Sequence, residues 1–397
     1  MTRRIAILGC ALATVAGGAA VAGGSRQARL AAATVTLSVG PTRLLAPEFG
    51  YTVAYKAVAR GATARTTIGL FVYDRGRWLN VTPPRLRADL VDGIDDVAFT
   101  DRRHGWVAGY SCAKAAVYLY RTSDGGRSWQ SLGRPSGHSC GGGPTYLSFV
   151  DTRHGWMEPV SPNAPGGELL RTSDGGVTWS LVASLDTEKP FQLPCLAPIA
   201  FTSRSSGWMG HSAAGFRDNQ GRLCAAHVYE SHDAGQTWKA RAIRLPRSLG
   251  APVFDVPRFF GQSGVVSITL GAARARAVAF AVSANGGRSW SLRSLRPISS
   301  CPWRGRSWPV SVAGSRVWWI VAGQKPPVVR VTSDAGRHWH SVAADGLPAR
   351  SCAVKGVSAA NSRVAWVVSG DNGNNGTALF QTRDGGRTWT QQRLLPG

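Results

Sequence analysis

The sequence is poor in acidic residues and in lysine. Asp and Glu total 22, with only five Glu, whereas Lys and Arg total 46, with only six Lys. The formal net charge is therefore +24. One interpretation is an anionic partner, such as a wall polymer, an acidic lipid or a nucleic acid. The other is a genome that favours Arg codons, and the scatter of the arginines along the chain favours it.

Motifs that carry known chemistry are also missing. The chain contains no CxxC pair, no Cys/His cluster with zinc spacing, no nucleotide-binding loop, no G-x-S-x-G and no H-E-x-x-H. We therefore expect no metal and no cofactor.

The N-terminus has the features of an export signal. Arg3 and Arg4 precede an apolar stretch from Ile5 to Gly24, and small residues allow cleavage after Ala22 or Ala33. We expect residues 1–33 to be a signal peptide and residues 34–397 to be one domain. The alternative is an uncleaved membrane anchor, because about 20 apolar residues can span a bilayer. Both place the protein outside the cytoplasm, secreted or in the cell envelope, where no nucleic-acid partner is expected.

Seven tryptophans recur along the chain in steps of 51, 50, 59, 52, 49 and 50 residues. A period near 50 residues is typical of repeat architectures. This Trp ladder consists of Trp78, Trp129, Trp179, Trp238, Trp290, Trp339 and Trp389.

One repeat contains four short predicted strands. They run over 95–100, 106–110, 116–122 and 128–132, separated by turn residues. This pattern predicts one blade of a β-propeller, so the fold class is all-β, with seven four-stranded antiparallel blades over residues 41–397. The strand-like residues 34–39 are left without a place.

A second set of tryptophans falls in the second predicted strand of the later repeats. We expect both sets to fill the space between neighbouring blades rather than to bind sugars. The second set is Trp106, Trp156, Trp208, Trp318 and Trp366.

Each ladder Trp ends a turn motif, such as Thr122-x-Asp124-x-Gly126-x-Ser128-Trp129. The Thr and Asp side chains can accept hydrogen bonds from nearby backbone amides, and the Gly supplies a positive φ. We therefore expect a structural role for the seven positions, of which the first belongs to a copy one residue short: Asp74, Asp124, Asp174, Asp233, Asn285, Asp334 and Asp384.

These copies resemble the Asp-box (BNR) repeat, S/T-x-D-x-G-x-T-W. The longer pattern is similar to the seven-bladed propellers of the photosystem II assembly and stability factor type and to sialidase-like propellers. The resemblance covers about 90% of the chain. It implies the fold but no single function, because the box recurs in sialidases, xyloglucanases, sorting receptors and assembly factors.

The resemblance makes sialidase the first enzyme to consider. That family has an R-I-P segment and a late Tyr–Glu pair, whereas this chain has no R-I-P and its last Tyr is Tyr229. Xyloglucanases of this type have two propellers, and this chain is long enough for one.

Six cysteines remain once the signal peptide is removed, and an even number in an exported chain suggests disulfides. In the predicted register, they fall in connections on the face opposite the boxes. This suggests the pairs Cys112–Cys140, Cys195–Cys224 and Cys301–Cys352 among fifteen possible connectivities.

The same connections are long and varied, which favours a binding surface there. The alternative is that the disulfides only stabilise the long loops of an exported protein. The candidate binding residues on this face are Arg134, Arg244, Arg247, Arg304, Arg306, Trp303 and Trp308.

Carboxylates near this face raise the possibility of catalysis, since a pair about 5–9 Å apart can hydrolyse a glycoside. The sequence does not give their separation. The acids concerned are Asp92, Asp95, Asp96, Glu158 and Asp371. The segment 371–376 faintly resembles a calcium loop, but we expect a hairpin loop.

We therefore predict an exported, monomeric propeller that acts as a non-catalytic binding or assembly scaffold for a protein or an anionic or glycan ligand of the envelope. Membrane contact is expected only through an uncleaved signal. The alternative is a glycoside hydrolase, sialidase-like or other, on the same fold.

Overall fold

The computed structural model describes residues 34–60, 63–137, 145–159, 167–184, 198–210, 227–246, 252–270, 275–301, 310–322, 327–349, 354–370 and 376–394. The predicted signal peptide, residues 1–33, lies outside them. Within the described residues, no helix has both the length and the apolar character needed to cross a membrane.

Seven antiparallel sheets form the blades, and each sheet is built from consecutive strands. The first three blades comprise β1 (Thr34–Ala46), β2 (Phe49–Arg60), β3 (Thr63–Asp74) and β4 (Arg77–Asn80); β5 (Gly93–Phe99), β6 (Gly105–Ser111), β7 (Ala116–Thr122), β8 (Gln130–Ser131) and β9 (Ser136–Gly137); and β10 (Tyr146–Phe149), β11 (Gly155–Glu158), β12 (Glu168–Thr172) and β13 (Ser180–Ser184). A 3-10 turn (Pro84–Leu86) links the first two blades.

The remaining blades comprise β14 (Ile199–Phe201), β15 (Gly207–Gly210), β16 (Val228–Ser231) and β17 (Lys239–Arg241); β18 (Pro252–Phe254), β19 (Arg258–Phe260), β20 (Ser263–Leu270), β21 (Ala275–Ser283) and β22 (Ser291–Cys301); β23 (Val310–Val312), β24 (Trp318–Ala322), β25 (Val328–Thr332) and β26 (His340–Ala343); and β27 (Val354–Ala359), β28 (Ala365–Gly370), β29 (Thr377–Thr382) and β30 (Thr390–Gln391). The prediction of an all-β, seven-bladed propeller is confirmed.

Residues 34–39, which had no place in the predicted register, belong to the first blade. They form the N-terminal half of β1, whose Val39 pairs with Ala54 of β2. The first blade therefore starts at Thr34 rather than at residue 41. Its strands are long because β1, β2 and β3 stay paired as far as Thr34, Ala59 and Ala64.

The ring closes between the first and seventh blades without exchanging a strand, since each blade uses its own consecutive strands. Side-chain hydrogen bonds join the two blades instead. The Leu44 amide donates to Ser358 Oγ at 2.8 Å and the Val39 amide donates to Thr377 Oγ1 at 2.7 Å. The Trp78 indole donates to Gln392 Oε1 at 2.9 Å.

In every blade, the turn between the first two strands lies against the turn between the last two. A backbone amide of the later turn donates to a carbonyl of the earlier one, as Gly125 does to Arg103 at 2.8 Å and Gly385 does to Arg363 at 3.0 Å. We call the end of the ring formed by these turns the turn face. The connections between blades, and those between second and third strands, lie on the opposite face.

The later turns of blades two to seven share one hydrogen-bond pattern. In the second blade, Thr122 Oγ1 donates to Asp124 Oδ1 at 2.8 Å and accepts from the Gly126 amide at 2.8 Å. The Asp124 carboxylate accepts from the Ser128 amide and hydroxyl. Gly126 adopts a φ of 89°, which suits glycine. The pattern satisfies the backbone locally, as expected for a structural turn.

The first blade departs from this pattern. Its turn is a two-residue hairpin in which Arg75 and Gly76 both have positive φ, and Asp74 pairs directly with Arg77. The Asp74 carboxylate bonds the guanidinium of Arg102 in the second blade. Asp74 therefore links two blades instead of bracing its own turn, because the shortened motif leaves no room for the longer loop.

Aromatic rings fill the spaces between blades, as predicted. Trp156 of the third blade stacks on Phe201 of the fourth with ring centroids 3.6 Å apart, and Phe201 meets Trp238 edge-on. The Trp156 indole donates to the Ala234 carbonyl in the next blade's turn at 2.8 Å.

The equivalence assigned to Trp318 is wrong. Trp318 pairs with Val312 just as Gly207 pairs with Phe201, so the residue equivalent to Trp208 is Trp319. Trp319 packs between the sixth and seventh blades and donates to the Asn361 carbonyl, while Trp318 packs back against the fifth blade. The adjacent Trp-Trp pair made the two registers indistinguishable in sequence.

Candidate functional site

Most of the binding face predicted from sequence lies outside the described residues. This holds for Arg247, Trp303, Arg304, Arg306 and Trp308, and for Asp371 and its loop. Arg134 and Arg244 are described, and both are exposed. Arg134 lies in a bulge of the outer strand, between β8 and β9, because β9 continues the pairing with β7. It therefore sits at the rim of the second blade rather than in a connection between blades.

The cysteine pairing stays a prediction. Cys112 lies just after β6, and its amide donates to Asp92 Oδ2 at 2.6 Å. Cys301 ends the outer strand β22, so it does not lie within a connection, and its side chain is not described. Cys140, Cys195, Cys224 and Cys352 lie outside the described residues.

Two of the predicted acids fasten the second blade to the third. A β-bulge between Ile94 and Asp96 places consecutive carboxylates towards β10. Asp95 Oδ2 accepts from the Thr145 amide at 3.0 Å, and Asp96 Oδ2 accepts from the Leu147 amide at 2.9 Å. Both are therefore backbone acceptors between neighbouring blades. Glu158, at the end of β11, is fully buried.

The first strands of most neighbouring blades contact one another, as β1 does with β5 and with β27, and so surround the centre of the ring. We call a group of four charged side chains, whose charges affect one another's pKa values, the charged belt: Arg43 on β1, Asp96 on β5, Asp255 between β18 and β19, and Arg258 on β19. Arg43 lies in the first blade and Arg258 in the fifth, which are not neighbours in the ring. The charges of Arg43 and Tyr51, both in the first blade, nevertheless contribute to the pKa of Arg258.

Burial and neighbouring charges shift the pKa values of the residues in the charged belt. Burial raises the pKa of Asp96 to about 6, while the Leu147 and Val97 amides and the charge of Arg43 oppose the shift. Burial, and then the nearby charge of Arg43, lower the pKa of Arg258 to about 10. The pKa of Asp255 is raised by burial, against the charge of Arg258. Arg258 thus stays cationic at neutral pH, and Asp96 can exchange a proton there.

The belt is also tied to the backbone. Arg258 donates to the Val312 carbonyl at 3.1 Å, and Asp255 accepts from the Val256 amide at 2.8 Å and from Ser267 Oγ at 3.2 Å. No group of three or more His, Cys, Asp or Glu side chains capable of holding a metal occurs in the part of the chain that the structure describes.

Sequence reasoning identified Asp95 and Asp96 but missed Arg43, Asp255 and Arg258. A signal was present. In a propeller the first strand faces the channel. Arg258 pairs with Val265 as Ala200 pairs with Trp208, so Arg258 stands where the fourth blade has a small residue. Recognising it required the register of the fifth blade, whose first strand is split into β18 and β19.

A polar groove of about 310 Å³ opens on the turn face between the second and third blades. Arg121 contributes its side chain from β7, together with hydroxyl and amide groups from both blades. The polar residues that line it are His104, Arg121, Thr122, Ser123, Ser128, Gln130 and Thr152.

No protein-family model and no curated protein matches this chain. Solved structures of similar fold include YCF48 from Cyanidioschyzon merolae, at 16% identity over 77% of this chain and 86% of that one, with a TM-score of 0.47. The Hadza microbial sialidase Hz136 is similar at 13% identity over 84% and 76%, with a TM-score of 0.44. Prolyl oligopeptidase B from Galerina marginata is similar at 12% identity over 91% of this chain and 52% of that one, with a TM-score of 0.51. At these identities the likeness shows the fold alone.

Proposed function

We propose that this protein is an exported, non-catalytic propeller that serves as a binding or assembly scaffold for a protein or an anionic or glycan ligand of the cell envelope. The observation that supports the proposal is the hydrogen bonding of the Asp95 and Asp96 carboxylates. Both carboxylates accept hydrogen bonds from backbone amides of the next blade. Acids at the channel, where a hydrolase would place its catalytic pair, here hold the ring together.

The positive net charge of the chain supports an anionic ligand. The chain carries a formal net charge of +24, and Arg134 and Arg244 are both exposed to solvent. A strong positive field raises the local concentration of anions and speeds their association. Export and a monomeric state are part of the proposal and rest on the sequence.

A glycoside hydrolase on the same ring is the second candidate, and one observation favours it. The pKa of Asp96 is raised to about 6, which suits a general acid near neutral pH. Asp95 is its neighbour and supplies a second carboxylate on the same strand edge. The hydrolase candidate therefore assigns the acid role to Asp96.

Binding and product analysis on one sample separates the two. The full-length protein is incubated with sialosides and with plant and wall glycans, and retention on immobilised polymer is measured beside soluble products. A scaffold retains anionic polymers, releases no product, and binds less when Arg134→Gln and Arg244→Gln are combined. Product that disappears in Asp96→Asn overturns the scaffold and establishes the hydrolase.

A further inference from the structure

One position of the third strand carries an arginine in two adjacent blades. Cross-strand pairing places Arg121 opposite Trp106 in the second blade and Arg171 opposite Trp156 in the third. Among the described residues, the equivalent partner of the inter-blade Trp is Glu230 in the fourth blade, Val331 in the sixth and Gln381 in the seventh. We call the boundary between two neighbouring blades a seam. The two arginines thus lie at two neighbouring seams, between blades two and three and between blades three and four.

At the seam between blades two and three, Arg121 lies in the polar groove. Its guanidinium donates to the Asp174 carbonyl at 3.2 Å and to Gln130 Oε1 at 2.8 Å. Arg103 stands exposed beside the groove and donates to the Ser123 carbonyl at 3.4 Å. The groove thus presents two held guanidiniums among hydroxyl groups.

The seam between blades three and four has equivalents of Arg103, Gln130 and Arg121. Arg153 donates to the Ser173 carbonyl at 3.3 Å, as Arg103 does to Ser123. Ser180 takes the place of Gln130 opposite the arginine. Arg171 lies 5.7 Å from the Trp156 ring, and its buried Nε has no hydrogen-bond partner among the described residues. A buried guanidinium N–H without an acceptor favours an anion.

The series stops at the fourth blade. Glu230 is buried there and bonds the guanidinium of Arg241. A carboxylate at this position repels an anion, so the two cationic seams have a defined boundary.

We propose that these two seams bind successive acidic groups of one linear acidic polysaccharide. Guanidinium groups match carboxylate geometry, and the Ser and Thr hydroxyls with Gln130 suit sugar hydroxyls. The repeat of one site by one blade fits a ligand that itself repeats. The proposal adds a site on the turn face to the binding role proposed above, and it does not use the opposite face.

The test measures binding of the full-length protein to polygalacturonate by titration calorimetry at low salt, with neutral dextran as the uncharged control. Arg171→Gln is expected to weaken binding about tenfold, and the double variant with Arg121→Gln further, because each removes a charge-assisted contact. If these buried substitutions prevent folding, the exposed pair Arg103→Gln and Arg153→Gln gives the same direction with a smaller change. Binding equal to wild type in all of them overturns the proposal.

Arg337→Gln with Arg363→Gln is the matched control, since it removes two exposed charges from the same face at other blades. It should leave affinity within about twofold, and an equal loss would show a diffuse charge effect and overturn the seam sites. Polyphosphate bound as tightly as polygalacturonate would overturn the sugar assignment. If binding is lost only in the double variant Arg134→Gln with Arg244→Gln, the seam proposal is overturned but the proposed binding function is supported. If wild type binds no anionic polymer, the seam proposal fails, and a protein ligand remains for the scaffold.

Discussion

Trp106 of the second blade lies parallel to Phe149 of the third, with ring centroids 3.7 Å apart and ring planes 6° apart. The Trp106 indole also donates to the Gly175 carbonyl of the third blade's turn at 2.9 Å. Gly155 makes room for Phe149, since a Cβ there would lie 2.4 Å from the ring. One side chain thus joins two blades by packing and by a buried hydrogen bond.

Replacing Trp106 by Ala should lower the free energy of unfolding by about 3–5 kcal/mol, because it opens a cavity at a buried position between two blades and removes a buried hydrogen bond. Urea denaturation followed by Trp fluorescence measures the change. Val177→Ala serves as the control, since Val177 is 53% exposed, and it should cost less than about 0.5 kcal/mol. Equal costs in the two variants would contradict the inter-blade role of Trp106.

The turn aspartates should tolerate Asn better than Ala. Asn285 already occupies this position, where Oδ1 accepts from the Ser289 amide and Nδ2 donates to Ser289 Oγ. We therefore expect Asp124→Asn to change stability by less than about 0.5 kcal/mol and Asp124→Ala to cost about 1–2 kcal/mol. Thermal unfolding of both variants checks the order. Equal losses in Asp124→Asn and Asp124→Ala would show that the charge, rather than the hydrogen bonds, holds the turn.

The closing seam should depend on Ser358. Its hydroxyl accepts from the buried Leu44 amide, so Ser358→Ala leaves that amide unsatisfied at a cost of about 1–3 kcal/mol. Hydrogen exchange at Leu44 should accelerate in the variant more than exchange at Val253, which is remote from the seam. Ser173→Ala is the control, because Ser173 is exposed. Unchanged exchange at Leu44 would mean that the ring closes without this bond.

Asp96 should make the protein less stable as pH rises towards neutrality. The pKa of Asp96 is raised from 3.8 to about 6, so the folded state holds a proton that the unfolded state releases. The stabilisation by the protonated carboxyl is complete below pH 3.8 and is lost as pH rises to about 6, by up to about 3 kcal/mol.

Urea denaturation between pH 4 and 7.5 tests this, with Asp96→Asn as the comparison. The wild type should lose stability relative to the variant across that window, because Asn cannot ionise. The turn aspartates do not obscure the comparison, since the pKa of Asp124 is lowered to about 2 and both proteins retain it. Parallel pH profiles would show that Asp96 titrates normally.

The architecture could be predicted because it repeats. A Trp about every 50 residues and a Gly at each turn indicate the same local structure in every blade. A copy with a weaker motif can therefore be interpreted by comparison with the other copies. The exceptions are the copies without the full local signal. The Asp74 turn is one residue shorter, so its contacts could not be inferred from the other copies. Residues 34–39 precede the first motif, so they could not be placed by comparison.

The candidate site could be predicted only in part, because it depends on which residues meet across the ring. Asp95 and Asp96 were visible as acids, but their role as acceptors for Thr145 and Leu147 depends on a β-bulge that no local pattern encodes. Arg43 and Arg258 are 215 positions apart in sequence, and only ring closure brings their charges together.

The scaffold account is tested most directly by exposing the full-length protein to polygalacturonate and following both bound polymer and chain length by size-exclusion chromatography with light scattering. The account predicts a complex that dissociates as salt rises and a polymer whose length stays constant over prolonged incubation. A polymer that shortens with wild-type protein, but not with Asp96→Asn, would contradict it.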